Sequence, residues 1–465
     1  MIREGSSLGA LRLTLVLIGF GLTACGAQPG LAPAVANSSV HRRAPTTSAP
    51  EAPSPSIGRS PSSREAAVVQ RLERVTSRLR GLDFRDPVDT RIHSQSEIRS
   101  FLTAQLEEES LPESLALLAA LGLVESAEQA RVQLTETLGE QVVGYYDPRT
   151  ASLVVRDDAA VSLGSMSISS SLTDPGRLTL IHELVHALQD QRLNLGVSLE
   201  ADFEGDGALA YRALVEGDAT LVTLAAGSSA DQGVLELIAA QADQIQARLG
   251  GAMSALPGQQ LSSAPPILRA LLMGPYLHGM VFVARLYHEG GWEAVNAAYA
   301  QPPRTMAEVL HLERYRQRNA LVRIPASSPP SLQAAGFTRA HEETLGELGF
   351  AVYLAGQAAD SALAWEASEG WLADQTELWV HPDEEALALS WSAWESGGEA
   401  QEAERAARSV AASLSPEGQA TALVARYGPC LLIARGAPSR LHGPLQEGLS
   451  ALAQRLQHDF PQLRH

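Results

Sequence analysis

The sequence predicts a mainly α-helical α+β protein, and three observations carry that reading. Apolar residues recur at helical spacing along most of the chain, while one short block around residue 147 changes to a strand-like composition on either side of a turn. The length, 465 residues, is enough for two or three domains with cores of their own.

At the amino terminus, Arg3 and Arg12 flank the start of an apolar run from Leu13 to Leu22. A permanent membrane helix needs about 20 such residues, so residues 1–24 read as a signal peptide. The run ends in Leu22-Thr23-Ala24-Cys25-Gly26, which resembles the bacterial lipobox, where cleavage leaves the cysteine as a lipidated first residue. An ordinary secretory signal with an incidental cysteine is the alternative. No aspartate follows Cys25, which in the lipobox pattern favours an outer membrane or cell surface. Residues 25–64 are rich in Pro, Ser and Ala and nearly free of large apolar side chains, so they cannot offset the entropy of ordering and read as a tether.

Beyond the tether, Val68, Leu72, Val75 and Leu79 give the stretch from Glu65 to Leu82 a helical stripe, and Ser96 to Glu109 and Ser126 to Leu138 read likewise. In GEQVVGYYDPRTASLVVRDD, β-branched and aromatic residues flank the turn-forming Asp147-Pro148-Arg149-Thr150, which predicts a hairpin with strands near Gln141–Tyr146 and Ser152–Arg156. Asp174 followed by Pro175 caps the start of a helix running to about Leu193, ended by Asn194 and Gly196. A further helix covers Asp206 to Ala226, and from Gln232 onward nearly everything reads as helical, with no fixed-period repeat.

Charge and composition exclude several kinds of chemistry. The formal charge is -18, and with six Arg and two Glu in residues 1–64 the remainder carries -22, which disfavours nucleic acid as a partner. The sequence contains no lysine, so a Lys nucleophile, a Schiff base and a phosphate-loop Lys are all ruled out. With only two cysteines, Cys25 and Cys430, neither a disulfide framework nor a Cys-rich zinc site is available, and Cys430 in a Pro-Cys-Leu-Leu-Ile run reads as a buried apolar residue.

The stretch LIHELVHALQDQ holds the chemistry. Residues four apart on a helix share a face, so His182 and His186 can hold one ion, with Glu183 beside them to take a proton from water. Two satisfied histidines on an amphipathic helix would give the same string, so a third ligand has to separate the readings. Glu216, in ALVEGDATLV, lies 30 residues beyond His186, far enough for the chain to cross a loop and return beside the first helix. Its small neighbours Gly217 and Ala219 permit close approach. Asp202, Glu204, Asp206 and Asp218 compete; Asp218 is two residues from Glu216 and faces away from it.

HELVH followed by a helix-borne Glu resembles the gluzincin group of zinc metallopeptidases. VGYYDP, HELVHALQDQ, RALVEGDATLV and YLHGMVFVARLYHEGGWEAVNAAYAQPPRTMAEVLH, in that order, resemble a group of bacterial exported, often lipoprotein-type, metallopeptidases over most of residues 65–400. The resemblance implies a zincin-like catalytic domain over residues 65–320, a helical carboxy-terminal region over 321–465, zinc on His182, His186 and Glu216, and Glu183 as general base. It implies a peptide or protein substrate, paired along an edge strand of the Gln141–Arg156 hairpin. In the thermolysin-like branch a carboxylate four residues after the ligand Glu orients the first histidine; Thr220 stands there instead, leaving Asp190 or Asp206 as the candidate acceptor. Among Tyr211, Arg212, Tyr276, His278 and His311, the resemblance favours Tyr276 and His311 as donors to the transition state. Trp371, Trp391 and Trp394 are expected in the core.

The sequence thus leads to a lipid-anchored extracytoplasmic zinc metallopeptidase. Two alternatives stay open: a non-catalytic lipid-anchored scaffold that keeps the fold, and a zinc amidase acting on cell-wall peptides.

Overall fold

A computed structural model describes residues 17–20, 58–107, 111–160, 175–195, 205–228, 232–252, 264–324, 329–356, 361–414 and 422–464. The protein is α+β and mainly helical, with two small sheets. Helix α1 (Ser63–Arg80) begins with a reciprocal capping box between Ser62 and Glu65 and ends at Gly81, whose φ of 71° is the left-handed conformation that closes a helix. Its stripe of Val68, Leu72, Val75 and Leu79 is buried, as the spacing predicts. Helices α2 (Gln95–Glu107), α3 (Leu111–Leu121) and α4 (Ala127–Gln141) follow, and α4 runs directly into a strand.

The first sheet has the order β1-β3-β4-β2. Strands β3 (Val142–Asp147) and β4 (Ser152–Arg156) form the expected hairpin, with Tyr145 opposite Val154 and the Asp147 side chain accepting from the Arg149 amide at 3.1 Å in the turn. Strand β2 (Asp89–His93) runs parallel to β4. The outer side of β3 is paired antiparallel with β1 (Leu17–Phe20), so β3 is not an edge of this sheet. That corrects the expectation of an open hairpin edge: a piece of the apolar run read as a signal peptide lies along it. Cys25 and Asp174 fall outside the described residues.

Helices α5 (Pro175–Leu193) and α6 (Asp206–Gly227) lie at the centre, bounded by α7 (Gln232–Ala240), α8 (Ala242–Ala252) and the long α9 (Pro266–Ala300). Asn194, with φ 58°, ends α5 as expected. Helices α6 and α9 touch backbone to backbone: a Cβ on Gly217 would sit 2.1 Å from the carbonyl carbon of Gly279. Helix α9 has a mean hydropathy of 1.5 over its most apolar window, but 83% of that window is buried inside the protein, which makes it a core helix that kinks at Gly290 and Gly291.

The region from Gln232 onward, read from the sequence as nearly all helical, departs from that expectation. After α10 (Met306–Leu310), α11 (Leu312–Gln317) and α12 (Pro330–Ala334), it contains an antiparallel sheet of order β5-β6-β7-β9-β8. Its strands are β5 (Thr338–Glu343), β6 (Trp371–His381), β7 (Glu384–Trp394), β8 (Leu423–Tyr427) and β9 (Cys430–Arg435). Helices α13 (Gly346–Ala355), α14 (Ser361–Ser368) and α15 (Gly397–Ser413) lie on one face and α16 (Ser439–Asp459) on the other. Along β7, Leu387, Leu389, Trp391 and Ala393 pack towards α16 while Ala388 and Trp394 pack towards α15. Both faces are buried, Ser390 and Ser392 included, so the alternation of buried and exposed residues that marks a half-exposed strand is missing. One apolar cluster joins Ile98 and Leu115 to Phe350, Trp394 and Ile433, so the hydrophobic core includes residues on both sides of residue 320. Trp371, Trp391, Trp394 and Cys430 are buried, as expected.

Candidate metal centre

The middle turns of helix α5 are buried on every side. Leu180, Ile181, Leu184, Val185, Ala187 and Leu188 are all buried, so any polar group on its middle turns must find a partner inside the protein. His182, Glu183 and His186 are such groups, and α6 brings Glu216 against them. One donor atom from each of His182, His186 and Glu216 lies within 4.8 Å of the other two. Glu216 Oε2 is 3.0 Å from His182 Nε2 and 3.5 Å from His186 Nε2. A tetrahedral ion bonded at about 2.0–2.1 Å sets its ligand atoms about 3.3 Å apart, a spacing these two separations bracket.

The hydrogen bonds around His186 define its tautomer. Gln189 Nε2 donates to the Val215 carbonyl at 3.0 Å and to Asp218 Oδ2 at 3.2 Å, both pure acceptors, so its Oε1 is the atom facing His186 Nδ1 at 2.7 Å. Nδ1 therefore carries a proton, and in the neutral ring Nε2 presents a lone pair. That Nε2 is buried, makes no hydrogen bond among the described residues, and points at a carboxylate. Acceptors facing each other in a dry interior are unfavourable unless a cation lies between them, and the group therefore fits a divalent metal.

The charge states agree with this. Burial disfavours the ionised form of Glu216, but the hydrogen bond from His182 and the closeness of both imidazoles outweigh it and hold the carboxyl well below its usual range. Burial lowers the pKa of His182, against the opposing pull of Glu216, so its imidazole is neutral. Metal binding requires a neutral imidazole and an ionised carboxylate.

Glu183 is fully buried beside the triad, and its Oε2 accepts from the Tyr146 amide of β3 at 2.8 Å. Tyr276, on α9, stacks on His182 with ring centroids 5.8 Å apart and receives a hydrogen bond from Arg212, whose Nε lies 3.9 Å from Glu216 Oε1. Burial pushes the Tyr276 hydroxyl far above its ordinary value, so it stays protonated and able to donate.

Other expected site residues lie elsewhere. Asp190 accepts from the Tyr146 hydroxyl at 2.7 Å. Asp206 is ten residues, about 15 Å of helix, from Glu216. It accepts from the Met306 amide at 2.8 Å, anchoring α10 and not a histidine. His311 is held 2.6 Å from Glu347, which Arg314 also approaches, and among the described residues no contact brings it to the triad. Thr220 is buried without taking the place of the absent carboxylate. Asp202 and Glu204 lie outside the described residues.

The supporting chain that sequence reasoning missed runs from Gln189 to Asp218 to Arg80. Asp218 faces away from Glu216, as expected, but it does so onto Gln189, onto Arg80 Nε at 2.7 Å and onto the Tyr299 hydroxyl at 2.8 Å. Arg80, the last residue of α1, is fully buried and stacks over Trp292 at 4.3 Å. The three-residue interval from His186 to Gln189 was the available signal, since i and i+3 share a helix face.

The fold and the site thus define a mainly helical α+β protein with a buried group of two histidines and one glutamate that could hold a metal ion. No family model, no curated protein and no solved structure matches the chain.

Proposed function

We propose that this protein is a zinc metallopeptidase of zincin-like fold, anchored by lipid on Cys25 outside the cytoplasm. The observation that carries the reading is the convergence of His182, His186 and Glu216 on one buried point with Glu183 beside them. Zinc is the metal that two imidazoles and a carboxylate suit best, and when bound it supplies a Lewis acid and brings the pKa of water towards neutrality.

The remaining chemistry belongs to the chain. Gln189 holds the His186 ring in the tautomer with a free Nε2. The Tyr146 amide holds one oxygen of Glu183, and the other takes the proton from water and returns it to the leaving amine. The Tyr276 hydroxyl, over His182, donates to negative charge developing on the scissile carbonyl oxygen. The amide that orients the general base is part of β3, so a substrate paired with that strand is set in register with the base. Strand β1 lies antiparallel along β3 as an extended apolar peptide, which supports this as a peptide-binding edge. Processing at Cys25 would remove β1 and open the edge to substrate.

The test is a pair of variants of the purified protein. His186→Ala is expected to lose bound zinc, and Glu183→Gln is expected to retain it while losing cleavage of a peptide library by about 10²- to 10⁴-fold. Zinc content unchanged in His186→Ala sinks the metal assignment. Zinc-loaded wild type that cleaves no library peptide but releases amino acids from cell-wall stem peptides replaces the substrate class, and cleavage of neither favours a scaffold.

A further inference from the structure

One residue of β3 is tied twice to α5. The Tyr146 amide donates to Glu183 Oε2 at 2.8 Å, and the Tyr146 hydroxyl donates to Asp190 Oδ2 at 2.7 Å. Glu183 and Asp190 are seven residues apart, about two turns or about 10.5 Å of α5, so both meet the strand from the same side of the helix. A single buried aromatic side chain with only two χ angles joins the two bonds, which makes it a stiff strut. Burial and the bond to Asp190 push the Tyr146 hydroxyl far above its ordinary value, so it stays protonated and donates.

The other forces on β3 do not set its position along α5. Pairing with β4, where Tyr146 lies opposite Leu153, fixes β3 within its sheet and not against the helix. Tyr146, Leu153, Leu180 and Leu184 share one apolar cluster, and apolar burial is non-directional: it holds the layers together without choosing which polar atoms meet. A slide of about 1 Å would stretch the amide bond to Glu183 beyond hydrogen-bonding range, and a misplacement of that size costs about 10²-fold in rate. We infer that Tyr146 and Asp190 are positioning residues for the general base: the bond from hydroxyl to carboxylate sets the place of β3 along α5 and thereby keeps the amide of Tyr146 on Glu183 Oε2. The inference rests on the metallopeptidase reading for what Glu183 does, while the clamp itself is measurable without turnover.

The test follows the amide of residue 146 and the kinetics in parallel. The metal-free full chain, labelled with nitrogen-15 on its nine tyrosines, gives a Tyr146 amide signal that is identified by its loss in Tyr146→Phe. An amide donating to a buried carboxylate resonates downfield, and Glu183→Gln is expected to move it upfield. Asp190→Ala is expected to move it the same way and to speed its exchange with solvent. Asp190→Asn, which still accepts from the hydroxyl, is expected to return both to the wild-type values. Labelling phenylalanine in Tyr146→Phe follows the same amide as one signal added to eight, with the same upfield shift expected. With zinc bound, Tyr146→Phe and Asp190→Ala are each expected to lower kcat about 10- to 100-fold while KM and zinc affinity stay within about twofold, the double variant being no slower than either single one. An amide unmoved in folded Asp190→Ala or Tyr146→Phe overturns the inference. So does a kcat that survives both substitutions, because the bond then serves the fold alone. Zinc-loaded wild type that cleaves no peptide removes the metallopeptidase reading; a shifted amide then still supports the clamp on Glu183, and an unmoved one overturns it.

Discussion

Replacing Gln189 with leucine tests the whole support of the metal group, because the two side chains are similar in size and differ in what they bond. The wild-type carboxamide accepts from His186 Nδ1 at 2.7 Å and donates to Asp218 at 3.2 Å and to Val215 at 3.0 Å. In Gln189→Leu the His186 N–H loses its acceptor in a site with no exposure to water, a loss of about 1–3 kcal/mol for a buried donor left unmet. Asp218 is less affected, since Tyr299 still donates to it and Arg80 still pairs with its charge. The ring is then free to rotate or to change tautomer, and partners of this kind contribute about 10- to 100-fold to metal affinity, or about 1.4–2.8 kcal/mol. Competition with a fluorescent chelator measures the affinity, and far-ultraviolet circular dichroism on the metal-free protein separates a weakened site from an unfolded one. Gln189→Glu keeps the acceptor but places a second carboxylate against Asp218, so it is expected to bind zinc better than the leucine variant while unfolding at a lower temperature. A natively folded leucine variant with zinc affinity within about twofold of wild type would falsify the supporting role. So would a nitrogen-15 spectrum placing the proton of metal-free His186 on Nε2.

Three further outcomes follow from other parts of the structure. Gly217→Val puts a branched side chain where even a Cβ falls 2.1 Å from the Gly279 backbone, so α6 and α9 must separate; a loss of about 3 kcal/mol or more is expected in urea unfolding, with weaker zinc binding because Glu216 is the next residue. Wild-type stability at neutral pH implies that α6 and α9 are not in contact there. Burial raises Asp206 from 3.8 to about 8, so the folded protein keeps a proton that the unfolded chain gives up, and this contribution to stability is complete below about pH 4 and is lost as pH rises to about 8. Asp206→Asn keeps an acceptor for the Met306 amide and is expected to flatten that decline between pH 5 and 8; a difference from wild type that is the same at both pH values rules out Asp206 as its source. Cys25→Ser is expected to move the protein from the membrane to the soluble fraction after cell breakage, and unchanged partitioning excludes anchoring through that residue.

Much of the fold was readable where a segment has one buried face or a strong boundary signal. The α1 stripe, the hairpin about Asp147-Pro148-Arg149-Thr150 and the extent of α5 from Pro175 to Leu193 all came from local spacing and turn chemistry. Strands β6 and β7 did not, because central strands covered on both faces have no solvent side to set a two-residue alternation, and buried polar residues such as Asp374, Thr376, Ser390 and Ser392 blur the pattern further. The supporting residues at the site were hidden for a different reason. Gln189, Asp218 and Arg80 look ordinary along the chain, and Arg80 is 138 positions from Asp218.

By itself the sequence determined the helical pitch that places His182, Glu183 and His186 together on α5, since four residues make about one turn whatever surrounds them. Only the tertiary structure decided that Glu216, among the carboxylates of the described residues, completes the group, and that Gln189 and behind it Asp218 support His186. Each of those depends on how separate helices pack. The closeness of α6 and α9 at Gly217 and Gly279, and the burial of Arg80 under Asp218, are properties of that packing, which local spacing does not encode.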